Sequence, residues 1–158
     1  MERMSSKVDF RLSFLGRPTA NDGVECMHGT AECLGNILLL CAAHYYPVPL
    51  SLPFAMCLEN DYSNIPNEEL VRQCALEHAV DFDKLNECAS DQDTGLGLKL
   101  LRDSVERSIE LGVRKSCTVR LAEKVYCVHD GDWKECPKGP GVNDLVVEIE
   151  KLYNSQDF

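Results

Sequence analysis

Cysteine restricts what this chain can fold into more than any other residue type. There are nine, at positions 26, 33, 41, 57, 74, 88, 117, 127 and 136 of 158. Spread along the chain in this way, they point to a disulfide framework formed in an oxidising compartment. Eight cysteines admit on the order of a hundred pairings, so the sequence leaves the connectivity open, and the ninth is odd. Helix geometry removes one pairing. Cys33 and Cys41 are eight apart, about 12 Å along a shared helix, which is beyond disulfide reach. Each must bond elsewhere or stay free.

Three of the cysteines fall in one dense run, Cys26 to Cys41. Its pattern is C-x-H-G-x-x-E-C-x-x-N-x-x-x-x-C, set by Cys26, His28, Gly29, Glu32, Cys33, Asn36 and Cys41. This pattern resembles the signature of the gamma-interferon-inducible lysosomal thiol reductase family, with Met27 where that family's usual form has Gln. The resemblance covers nearly the whole chain, although only the signature is specific. It implies a thioredoxin-like thiol reductase that cleaves protein disulfides, in a lysosome or vacuole or as a secreted protein. Disulfide-containing protein substrates would be its partners, and no cofactor is called for.

A dithiol reductase needs one cysteine to attack and a second to resolve the mixed disulfide, usually as Cys-x-x-Cys at a helix N-terminus. No two cysteines here have that spacing, and the 25 residues before Cys26 contain none. The family places its pair upstream of the signature, after a first strand. The expectation is therefore a chain truncated at its N-terminus and inactive alone, with no residue assigned a catalytic role. A short paralogue that has lost catalysis is the alternative origin, and a non-catalytic, secreted, disulfide-rich binding module is the alternative function. Thioredoxin-like enzymes also place a cis-proline before the third core strand. The best match here, Arg114 to Val119, has Cys117 and no proline.

The formal net charge of -10 argues against nucleic acid and anionic membrane as partners. Protonating all four histidines would bring it only to about -6. No secretory leader is visible in the sequence, no stretch is long and apolar enough to span a membrane, and no N-x-[ST] acceptor occurs. Oligomeric state is left open.

Alternation of Val8, Phe10, Leu12 and Phe14 with polar residues predicts a strand, and residues 16–23 a polar loop. A helix is expected from Thr30 to Tyr45, stopped by Pro47 and Pro49. Further helices should begin at Pro66, after an Asp81 cap, and after Asp93-Thr94, the last with Leu98, Leu101, Val105 and Ile109 at helical spacing and Gly112 as its stop. A hairpin turning at Ala122-Glu123, a loop around Trp133 and Cys136, and a helix capped by Asn143 close the chain. The fold class is α/β: one thioredoxin-like domain over 1–158 with a helical insertion over 26–111, lacking its first strand and catalytic helix.

For the signature residues, the first reading is structural: Cys26, Cys33 and Cys41 in disulfides, Gly29 in a turn, His28 on a local backbone group, Glu32 and Asn36 bonding each other or bracing the loop. Against it stand a role for His28 in tuning a thiol, a zinc site from Cys26, His28, Cys33, Cys41 and His44, and a Cys74–His78 nucleophile pair.

Overall fold

The computed structural model describes residues 4–155, which form two compact units: residues 10–111, and residues 4–9 with 112–155. Both are built from mixed α/β content, with small antiparallel sheets and six α-helices among the described residues.

Unit 10–111 is mainly helical. A minimal hairpin of β1 (Arg17–Pro18) and β2 (Val24–Glu25) precedes α1 (Thr30–Tyr45), α2 (Val48–Glu59), α3 (Glu68–Glu77), α4 (Phe82–Ser90) and α5 (Leu96–Glu110). Helix α1 packs against α2, α4 and α5, and α2 against α3. Ile37, Leu38, Phe54, Leu58, Val71, Leu85, Leu101 and Val105 form the core. Burying side chains of this size is worth roughly 1.5–3 kcal/mol each before entropy is counted.

Local chemistry sets the helix boundaries. The end of α1 falls at Tyr45, before Pro47, while Pro49 does not stop a helix but sits in the first turn of α2, where a missing N–H costs nothing. The Asn67 side chain accepts from the Glu69 and Leu70 amides to cap α3, and Asp81 accepts from Asp83 and Lys84 to cap α4. Gly112, at φ 68°, follows α5 in the left-handed conformation that ends helices.

Two expectations need correction here. The segment Val8–Phe14 belongs to no strand. Its alternation persists only as alternating exposure, because residues 13 and 14 run along a helix. The Ser13 hydroxyl bonds Ser108 Oγ at 2.7 Å, and the Phe14 amide donates to Ser104 Oγ at 2.9 Å. For the same reason the buried face of α5 does not coincide with all of its helically spaced apolar residues. Leu101 and Val105 are buried, but Ser104 and Ser108 join them while Leu98 and Ile109 are exposed. The polar loop over 16–23 contains β1, and its carbonyls at Thr19 and Gly23 accept from Arg102 of α5.

In the second unit, β3 (Thr118–Leu121), β4 (Lys124–Asp130) and β5 (Asp132–Lys134) form an antiparallel meander, followed by α6 (Val142–Ser155). Ala122 and Glu123 both take positive φ, 48° and 67°, the conformation that lets a two-residue turn follow strand twist. Strand β5 replaces part of the expected loop: Gly131, at φ 76°, turns β4 straight into it. Asn143 does not cap α6. It lies inside the helix, and the Asp144 carboxylate reaches back to the Gly141 amide at 2.9 Å. Ile149 is buried, Leu152 is exposed, and Lys7 pairs with Glu150 at 2.5 Å.

Candidate functional site: the cysteine framework

The signature folds into a compact device at the start of α1. Gly29 stands before the helix with φ 90° and ψ -165°, a conformation essentially reserved for glycine. It lets the chain turn, with the Gly29 amide donating to the Cys26 carbonyl at 3.1 Å. Glu32, in the first helical turn, reaches back: its Oε2 accepts from the His28 amide at 2.6 Å and meets His28 Nδ1 at 2.8 Å. A first-turn carboxylate also suits the positive end of the helix dipole. Glu32 thus takes His28 as its partner, not Asn36. The His28 ring is 77% exposed, on the outer side of this turn.

The cysteines are joined as Cys26–Cys33, Cys41–Cys88, Cys57–Cys74 and Cys127–Cys136. The first closes the signature loop onto α1, the second ties α1 to α4 through the core, and the third ties α2 to α3. Cys33 and Cys41 each take a different partner. These bonds remove the thiolates that a zinc site at Cys26, Cys33 and Cys41 would use, leaving only His28 and His44 of that set. They also rule out Cys74 as a nucleophile in this oxidised state. Gly35 was not singled out by the pattern, yet a Cβ there would lie 2.7 Å from Ile65 Cγ2.

Cys117 is the cysteine left without a disulfide, and it is exposed. Its backbone exchanges both hydrogen bonds with His129, at 2.7 and 2.8 Å, extending the β3–β4 ladder by one pair. The peptide bond preceding it is cis. The His129 ring packs edge-on against Trp133 at 4.9 Å. Elsewhere, a shallow polar depression of about 320 Å³ is lined by Asp61, Asn64, Asn67, Glu69, Leu70 and Gln73, none of them in the signature.

A helical unit stapled by three disulfides and opened by this signature loop defines a disulfide-rich protein of mixed α/β content. Residues 1–78 match the family model described as Gamma interferon inducible lysosomal thiol reductase (GILT), and the chain belongs to that family. No curated protein and no solved structure matches it. No helix among the described residues is long and apolar enough to cross a membrane.

Proposed function

We propose that this chain works in thiol–disulfide exchange on disulfide-containing proteins, in a lysosomal or extracellular compartment, and that its 158 residues capture such substrates without turning them over. A thioredoxin-like arrangement of the whole belongs to the same proposal. The observation that carries it is the state of the cysteines: eight are paired, no Cys-x-x-Cys exists, and Cys117 is the exposed free thiol. A lone thiolate attacks a substrate disulfide and forms a mixed disulfide. Without a second thiol beside it, that intermediate is not resolved.

The test offers the purified chain a denatured, disulfide-bonded protein, with and without a regenerating thiol. A Cys117-linked adduct should accumulate, be lost in Cys117→Ser, and produce no substrate thiols above the no-protein control. Sustained turnover by the chain would overturn the reading. The second reading, a non-catalytic binding module, is favoured by the nearly complete burial of Cys41–Cys88 in the core. It predicts substrate binding that Cys117→Ser leaves unchanged.

A further inference from the structure

Among the described residues, one trio of potential ligand side chains brings its donor atoms within 4.8 Å of one another: Cys57, Glu77 and His78. Cys57 is bonded to Cys74, so its sulfur carries neither a proton nor a charge, and this is not a ready metal site. Glu77 Oε2 lies 3.9 Å from that sulfur as a contact. What the bonded sulfur keeps is its susceptibility to attack by a thiolate.

The two sulfurs are unequally placed. Cys57 is half-buried on α2, whereas Cys74 on α3 is 1% exposed. An incoming thiol therefore meets Cys57, and displacement puts the electron pair on a buried sulfur. Burial penalises the resulting thiolate unless a proton arrives. His78 lies four residues beyond Cys74, on the same face of the chain as it leaves α3, and its ring is beside the disulfide. Glu77 is held from its other oxygen by Gln73 Nε2 at 3.0 Å, which fixes a negative charge next to the sulfur under attack. Neither Cys26–Cys33 nor Cys127–Cys136 has such a trio, and both sulfurs of Cys41–Cys88 belong to buried residues.

We propose that Cys57–Cys74 is an exchange site for small thiols, with His78 as proton donor and Glu77 as an electrostatic selector that favours cationic aminothiols over anionic ones. The thiolate sulfur bonds to Cys57 Sγ, the Cys57–Cys74 bond breaks, and the electron pair passes to Cys74 Sγ. His78 protonates that sulfur and regains a proton from water. One thiol and one disulfide enter, and one of each leaves: a mixed disulfide on Cys57 and a thiol on Cys74. The exchange needs no outside oxidant or reductant. The exchange uses no atom of Cys117, and its behaviour does not depend on whether the chain acts on protein disulfides.

The experiment treats the native chain with graded cysteamine or mercaptoacetate, quenches with iodoacetamide and maps the peptides by mass. Cys117 labels throughout and serves as the background. The first new product should carry cysteamine on Cys57 and the alkyl group on Cys74, with Cys41–Cys88 still closed. His78→Gln should slow its formation at least about tenfold, as loss of a positioned proton donor does. Glu77→Gln should shrink the preference for cysteamine over mercaptoacetate, an outcome a merely structural role would not give. Adduct formation first at another disulfide, or on Cys74, would overturn the site. An unchanged rate in a folded His78→Gln protein would overturn the role of His78, and an unchanged thiol preference in Glu77→Gln that of Glu77.

Discussion

Gly29 illustrates how a single residue can matter through its backbone alone. A Cβ at this position would meet nothing within 4 Å, so no clash forbids a larger residue. The obstacle is the dihedral pair, φ 90° and ψ -165°, which costs other residues of order 1–3 kcal/mol. Gly29→Ala should therefore lower the urea midpoint by the equivalent of about 1–3 kcal/mol with an unchanged slope. A change below half a kcal/mol would show that the turn relaxes freely. Gly35 is the opposite case, excluded by Ile65 rather than by its own conformation. The motif announced that Gly29 mattered, and its place before a helix suggested a turn. Nothing in the pattern announced Gly35, because the contact that fixes it comes from a residue thirty positions away.

Elements were legible where their boundaries are written in local chemistry. Thr30–Tyr45, the Asp81 cap and the Ala122-Glu123 turn depend on residues within a few positions of one another. The Val8–Phe14 segment was misread because alternation reports which side is covered, not whether a neighbouring strand supplies the ladder. The buried face of α5 is not legible from spacing, because Ser104 and Ser108 become interior only once residues 13 and 14 bond them. Strands β1, β2 and β5 are two or three residues long, too short to show a period. Disulfides act between elements, and their value depends on the loop each closes. Cys41–Cys88 spans 47 residues and Cys26–Cys33 only 7. Loop-closure entropy alone assigns them about 4 and about 2.5 kcal/mol. Replacing both cysteines with Ala should thus cost more at Cys41/Cys88 than at Cys26/Cys33, and the buried sulfurs of the former add a cavity penalty. Equal losses in chemical denaturation, or the reverse order, would contradict this account.

At the scale of the molecule, the signature lies in the helical unit and Cys117 in the β-meander unit, so the candidate chemistry is distributed and no short motif could have revealed it. Both units carry carboxylates that tie stability to acidity. Thr94, through its hydroxyl and then its amide, holds Asp91 below the usual carboxylate range, and Lys151 does the same for Glu148. A carboxyl group with a depressed native pKa contributes stability that is fully present above its unfolded value, about 4. That contribution fades as pH falls through the lower native value. A mildly acidic compartment near pH 5 lies on the safe side of this window. Tyr126 sets the opposite limb: burial, then the nearby charges of Asp144 and Glu148, raises its phenol. Its contribution is complete below the ordinary phenol value, about 10, and is lost as pH rises beyond that. The acid limb is tested with Asp91→Asn, which removes the titration while keeping the shape. The melting temperature of the unsubstituted chain should exceed that of the variant by more at pH 6 than at pH 3, because at pH 3 protonation has begun to cancel the advantage in the parent. A gap that stays constant across this range would mean that the Asp91–Thr94 turn does not couple protonation to folding.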